Sequence, residues 1–235
     1  MSNERKKKLA HDLAAFMLVM HMQPMQPGQK IPNDLNSEKL LSIQLDELFE
    51  RDDEIKDAKI EYKIDKFIKC FHDDSIKRLA QDVIDYFKRN NNDAIAKIIV
   101  MRHHDLRDAN IRYDTKSNRF GIIDFEGAGF GSIYEDFVGS PPSLSWDFMK
   151  MVIEQYNFLS KKFNHDITID PETVRRWSIF RMLWASIKNN WPEENTKQKL
   201  KELGLVKSET INSIKRGINE LIKRLRYQNN VGRKY

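Results

Sequence analysis

Three oxygen-bearing side chains lie near the middle of the sequence. Asp105 and Asn110 occur in His103-His104-Asp105-Leu106-Arg107-Asp108-Ala109-Asn110, and Asp124 in Ile122-Ile123-Asp124-Phe125-Glu126. Asp105 and Asn110 are five apart on a polar loop. Beyond Asn110, Ile111-Arg112-Tyr113 and Phe120-Gly121-Ile122-Ile123 flank Asp114-Thr115-Lys116-Ser117-Asn118. Two short β-prone runs around a polar turn read as a β-hairpin. A hairpin brings its ends together, so Asn110 and Asp124 are expected side by side, with Asp105 at the mouth of the cluster. Carboxylate and amide oxygens are hard ligands suited to Mg²⁺. A carboxylate, anionic at neutral pH, can orient a hydroxyl and accept its proton. Phosphoryl transfer needs that inventory: metal ions to neutralise phosphate charge and a base to aim the acceptor. Asn110 would ligate without adding repulsion beside two carboxylates. The competing reading is turn chemistry, which also favours Asp and Asn.

The elements that must position these residues are mostly helical. Leu9, Leu13, Phe16, Met17 and Met20 share one helical stripe, ended by Pro24, Pro27 and Gly28. After a loop to Asn36, Ser37 is placed to cap a helix through Leu40, Leu41, Leu45 and Leu48. Arg51 to Asp57 is charge-dense and reads as an exposed turn or helix end. Asp74 or Ser75 is expected to cap a helix carrying Ile76, Leu79, Val83, Ile84 and Phe87. Ala94 to Met101 reads as a buried strand. Helical patterns follow at about 144–164, 172–190 and 209–227, the last capped by Ser208. The fold class is therefore α+β and mainly α, in one domain: 1–93 helical, 94–137 the loop and hairpin, 138–235 helical with a basic C-terminal helix.

With 235 residues, 40% of them hydrophobic, the chain can bury a real core. No run of about 18 apolar residues suggests a membrane span, and the basic N-terminus lacks the apolar core of a signal peptide. Cys70 is the single cysteine, so no internal disulfide is possible and a reducing, cytoplasmic setting is expected. Its apolar neighbours predict a buried structural thiol. The net charge of +5 is uneven: residues 197–235 hold 11 Lys and Arg against 3 Asp and Glu. The motif-bearing part is thus mildly acidic. The basic tail reads first as a solvated helix face, and no nucleic-acid or membrane partner is expected.

The motif His-x-Asp-Leu-Arg-x-x-Asn, then Ile-Asp-Phe-Glu-x-Ala-x-x-Gly and Glu135-Asp136-Phe137, resembles the aminoglycoside phosphotransferase and choline kinase-like family, a branch of the protein-kinase-like fold. The match is dense from about Ile98 to Phe137. The opening Leu-Ala-x-x-Leu-x-x-x-His pattern ending at His21 is compatible with that family's C-terminal catalytic lobe. The resemblance implies that Asp105 is the catalytic base and that Asn110 and Asp124 bind metal and, through it, the nucleotide. It implies that His103 braces the loop, that Asp136 ties the loop down and that Arg107 helps neutralise phosphate charge. Where His104 stands, the family commonly has glycine. No partner is foreseen for His21, His72 or His165.

The implied cofactors are Mg²⁺ and ATP or GTP, and the implied acceptor is a small-molecule hydroxyl of amino-sugar or choline type. Asp46, Glu47, Glu50, Asp52, Asp53 and Glu54 could meet a polycation; Trp146, Trp177, Trp184 and Trp191 could cage a quaternary ammonium. Both sets also read as an acidic turn and core tryptophans. Residues 1–93 hold only Gly28 and mostly helical periodicity. The strand lysine and glycine-rich loop that clamp phosphates elsewhere in the fold are therefore not expected in them. On this reading the chain is a catalytic lobe without the nucleotide-binding lobe, truncated and inactive alone, with the missing lobe supplied by a separate chain or by oligomerisation. The alternative is a non-catalytic binding or scaffold module.

Overall fold

Ser2 caps the first helix, α1 (Asn3–His21), by accepting from the Arg5 N–H at 3.3 Å. In this computed structural model residues 2–24, 37–90, 98–114, 116–117, 119–138 and 143–206 are described. The expected C-terminal helix at 209–227, its Ser208 cap and the segment 94–97 lie outside the described residues. Three helices follow α1: α2 (Ser37–Leu48), α3 (Ile60–Lys69) and α4 (Asp74–Arg89). Strand β1 (Ile99–Arg102), a 3₁₀ turn (Asp108–Asn110), β2 (Ile111–Asp114), β3 (Arg119–Ile122) and β4 (Gly129–Ser132) form the middle of the chain. Helices α5 (Tyr134–Val138), α6 (Trp146–Lys162), α7 (Pro171–Lys188) and α8 (Glu193–Glu202) complete the described part.

The β structure is two antiparallel ribbons. In one, β2 pairs with β3 from Ile111↔Ile122 to Asp114↔Arg119, close to the expected hairpin. In the other, β1 pairs with β4 from Ile99↔Ser132 to Arg102↔Gly129. The first ribbon is thus looped out between the strands of the second, and the loop 103–110 connects the two. Gly131 of β4 serves a specific contact: a Cβ there would sit 1.9 Å from Nε of Arg102, whose side chain crosses it.

Helix α7 is the hub. It is buried from Thr173 through Ser186 on more than one face, as expected of a helix surrounded by others. It packs against α4, α5, α6 and α8. Trp177 stacks on Phe87 at 4.2 Å, and Phe180 meets Phe67 at 5.3 Å, so α3 and α4 close on α7 through aromatic rings. Helix α1 lies along α6 and also touches β1.

Several details differ from expectation. Helix α4 is capped by Asp73, which accepts from the N–H groups of Ser75 and Ile76; Asp74 and Ser75 already lie within the first turn. Helix α2 begins at Ser37 itself. Helices α3, α5 and α8 and strand β4 were not foreseen. Cys70 caps the end of α3 and is exposed, which corrects the expectation of a buried thiol: the apolar side of α3 is formed by Ile64 and Phe67, and Cys70 falls off that stripe. No described helix is long and apolar enough to cross a membrane.

Candidate active site

The loop leaves β1 at His103, whose side chain is buried between β3 and α1. Its Nε2 donates to the carbonyl of Ile123 at 2.9 Å, and its ring meets Phe125 edge-on at 4.7 Å. A carbonyl only accepts, so the Nε2–H tautomer is the one the network assigns. Phe125 in turn contacts Phe16 of α1 at 6.0 Å. His103 therefore ties the start of the loop to the segment leaving β3, and Phe125 carries that link to α1. His104 follows with φ of 76°, in the left-handed region where glycine is at ease and other residues are strained.

Asp136 of α5 fixes that unusual turn. Its Oδ2 accepts from the His103 N–H at 3.0 Å and its Oδ1 from the His104 N–H at 2.9 Å. Two consecutive loop amides thus point at one carboxylate, itself fully buried. His21 is a structural residue, and it has the partners that its sequence neighbourhood does not foretell. Its Nε2 lies 3.2 Å from Asp136 Oδ2, and its Nδ1 lies 2.9 Å from the Tyr156 hydroxyl. One arrangement satisfies every group: Tyr156 O–H donates to Nδ1, and Nε2–H donates to Asp136. Burial, reinforced by Asp136, raises the Tyr156 phenol well above its usual pKa, so it remains a donor. A single sequence does not reveal this link because His21, Asp136 and Tyr156 come from α1, α5 and α6. The only local signal is a histidine closing the apolar stripe of α1.

Asp105 and Asn110 meet directly. Asn110 is 4% exposed, and its Nδ2 donates to the Asp105 carbonyl at 2.8 Å and to Asp105 Oδ2 at 2.9 Å. Both partners are acceptors, so the amide nitrogen must face them and the amide oxygen faces away. Arg107 Nε lies 3.0 Å from Asp105 Oδ2. This ion pair is partly exposed, so it orients more than it stabilises. Behind the loop, Asp108 N–H donates to Ser143 Oγ at 3.0 Å.

Asp124 is positioned through its neighbour. The Ile123 N–H donates to the Asn110 carbonyl at 3.0 Å, extending the β2–β3 ladder by one step. Asp124 then turns out of the ladder with φ of 69° and is exposed. The chain thus brings Asp105, Asn110 and the Ile123–Asp124 step together. His104 and Asp124 are two of the four described non-glycine residues with positive φ, and such strain gathers at functional sites.

The donor set fits a hard divalent cation held mainly by non-protein oxygens. Among the described residues no group of three or more His, Cys, Asp or Glu side chains could hold a metal ion. Asn110 and Asp124 offer one amide and one carboxylate oxygen, which suits an ion that keeps several waters or phosphate oxygens.

Most of the other candidate residues are engaged elsewhere. Of the acidic group, Asp46 pairs with Lys63 at 2.5 Å, Glu47 with Lys188 at 2.7 Å and Asp53 with Lys56 at 2.5 Å. The tryptophans do not form a cage. Trp177 is in the core, Trp184 donates to the Gln44 carbonyl at 2.8 Å between Arg181 and Lys188, and Trp191 lies under Lys199.

Residues 1–152 match the model of the phosphotransferase enzyme family, APH. No curated protein sequence matches the chain. Among solved structures the chain is similar to APH(2″)-IIa in a ternary complex with streptomycin and ATP, at 18% identity and a TM-score of 0.46, covering 80% of this chain and 56% of that one. It is also similar to the aminoglycoside phosphotransferase APH(2″)-Ib bound to ADP, at 15% identity and 0.47, covering 86% and 64%. A third similarity is to choline kinase from Cryptosporidium parvum Iowa II, at 14% and 0.41, covering 88% and 69%. The chain spans less than two thirds of the length of the first two. With 152 of 235 residues matched, the chain belongs to the phosphotransferase enzyme family.

Proposed function

We propose that the chain is the catalytic lobe of a phosphotransferase that moves the γ-phosphoryl group of ATP or GTP to a hydroxyl of a small molecule. The observation that carries this reading is the Asp105–Asn110 contact at 2.9 Å on a loop whose backbone is pinned by Asp136. Asp105 is the base. One of its oxygens is held by Asn110 and Arg107, leaving the other to receive the acceptor's proton. As the acceptor oxygen bonds to the γ-phosphorus, the bond to the β–γ bridging oxygen breaks and the nucleoside diphosphate leaves. Asn110 Oδ1 and Asp124 are the residues that would hold Mg²⁺, which when bound neutralises phosphate charge. Arg107 is placed to do the same from the protein side, and His103 and Asp136 keep the loop in register. The loop and the β2–β3 ribbon form the working unit, within a domain divided as 1–93, 94–137 and 138–235.

The test is transfer of labelled γ-phosphate from Mg-ATP and Mg-GTP to a panel of hydroxylated acceptors. Transfer that requires the acceptor and disappears in Asp124→Ala supports the reading; transfer unchanged in that variant refutes the assignment. A second reading, a non-catalytic binding module of the same fold, is favoured by one observation. Described residues 2–24 and 37–90 form α1 to α4 and none of the strands that would carry a phosphate-clamping lysine. On that reading the panel yields no transfer; if instead the nucleotide-binding part is a separate chain or a second copy, the panel yields transfer only when it is added.

A further inference from the structure

Two faces of opposite charge are left unmatched among the described residues. The first is shared by α1 and the β2–β3 ribbon. Lys8 Nζ lies 5.7 Å over the Phe120 ring, and Phe16 meets Phe125 at 6.0 Å, so α1 and β3 run side by side. At one end of this face Arg5, Lys6 and Lys7 of α1 and Arg112, Lys116 and Arg119 of the ribbon are exposed, and none makes an ion pair among the described residues. Lys8 alone is paired, with Asp12 at 2.5 Å. Cations crowd the first turns of α1, where the helix macrodipole disfavours them, so helix stability does not account for them. At the other end Ile123 and Phe125, 41% and 46% exposed, flank Asp124.

The second face is the acidic stretch from the end of α2 into α3, which the site does not use. Residues 46–65 hold nine Asp and Glu against four Lys and Arg. Buried Lys63 ties the stretch together, donating to Asp46 at 2.5 Å and to the Lys56 carbonyl at 2.6 Å. Ile55 is buried and anchors the turn. On either side of it Glu54 and Asp57 are exposed and make no ion pair among the described residues. Ile43 of α2 and Tyr62 of α3 add exposed apolar surface. Each face thus joins unpaired charge of one sign to exposed apolar side chains, and the two signs are complementary. The loop 103–110 borders both. His104 packs against Gly127, where a Cβ would sit 3.6 Å from its Nδ1, and it shares a wall with Leu40 and Gln44 of α2.

We propose that these faces are the two halves of one isologous interface and that the occupant of each is a second copy of this chain. The α1–ribbon face of one protomer meets the α2–α3 stretch of its partner, and a two-fold axis beside the loop makes both contacts at once. Charge selects this occupant: the acidic, partly apolar surface that the basic face calls for is carried by the same chain. The pairing covers Ile123 and Phe125 beside Asp124. It concerns assembly alone and stands whether or not the loop transfers phosphate.

The test is sedimentation equilibrium of the full chain. A dimer is expected at about 0.01 M salt, where charges act over ~30 Å, with a dissociation constant at least about tenfold higher at about 0.1 M, where they act over ~10 Å. Arg5→Glu with Arg112→Glu should leave a monomer, and so should Glu54→Lys with Asp57→Lys. Glutamate suits the first turn of α1, and Arg112 is paired with Gly121 across the ribbon, so the first reversal spares the fold. Mixed in equal amounts, the two reversed variants should dimerise again, because opposite signs then meet at both contacts. A chain that is monomeric at low salt overturns the proposal, as does a dimer indifferent to salt and to both reversals, or a mixture that stays monomeric. A monomer that instead binds single-stranded RNA through Arg5 and Arg112 gives the basic face to a polyanion and equally overturns it. The salt dependence of the unaltered chain keeps the test decisive if a variant does not fold.

Discussion

Asp136→Asn is nearly isosteric, so its effect isolates the hydrogen bonds that pin the loop. The carboxylate accepts from His104 N–H at 2.9 Å on one oxygen, and from His103 N–H at 3.0 Å and His21 Nε2 at 3.2 Å on the other. An amide keeps only one of those oxygens. If its NH₂ faces His104, that N–H loses its only acceptor at a residue already strained at φ of 76°. If it faces His103 and His21, the histidine can change tautomer, but the His103 N–H is left unpaired and the Tyr156 hydroxyl loses its acceptor. Either way at least one buried N–H is unsatisfied, at about 1–3 kcal/mol. The surviving bonds also change from charge-assisted to neutral, adding about 1 kcal/mol. The expected loss is therefore about 2–4 kcal/mol, read as a drop in urea-unfolding free energy. Faster hydrogen exchange at the His103 and His104 amides should accompany it. Tyr156→Phe should couple to it in a double-mutant cycle by about 0.5 kcal/mol or more. A loss below about 0.5 kcal/mol, with protection at both amides intact, would refute the claim that Asp136 holds the loop.

Two further outcomes follow from other contacts. Burial alone would raise the Asp73 carboxyl, but hydrogen bonds from Lys197, Ser75 and the Ser75 and Ile76 amides hold it at about 2, below its ordinary 3.8. A depressed folded value stabilises the protein above pH 3.8, and that stabilisation is lost as pH falls towards about 2. Lys197→Met should flatten this acid-side decline in urea midpoints, and an unchanged slope would contradict the assignment. Gly131→Ala places a Cβ 1.9 Å from Arg102 Nε and should displace the guanidinium from Glu135. A cost of about 1–3 kcal/mol in urea unfolding is expected, and an unshifted midpoint would show that Arg102 can move freely.

The parts of the fold legible in the sequence are those with their own local signal. The stripes of α1, α2, α4, α6 and α7 repeat at helical spacing, and the β2–β3 ribbon is two β-prone runs around a polar turn. Most of what escaped lacks such a signal. Strand β4 is Gly129-Phe130-Gly131-Ser132, two glycines in four residues, of which Gly131 admits the Arg102 side chain. Helix α8 is strongly charged, and its one apolar residue, Leu200, is in the core; it is tied down by Lys197 to Asp73 at 2.5 Å and by Glu193 accepting from the His72 and Asp73 amides. Helix α3 does carry a stripe, Ile60, Ile64 and Phe67, hidden by its lysines. In the site, Asp105 and Asn110 stand out because their types and spacing are themselves the signal. His21 does not, because its meaning depends on two residues more than a hundred positions away.

The central claim is that Asp105, Asn110 and Asp124 form one centre for a metal-bound phosphate, and the direct measurement is paramagnetic broadening by Mn²⁺ with ADP present. The account predicts that the amide resonances of Asp105, Asn110 and Asp124 broaden together at substoichiometric Mn²⁺ and that the effect is lost in Asp124→Ala. Broadening centred elsewhere, or surviving undiminished in Asp124→Ala, would contradict it.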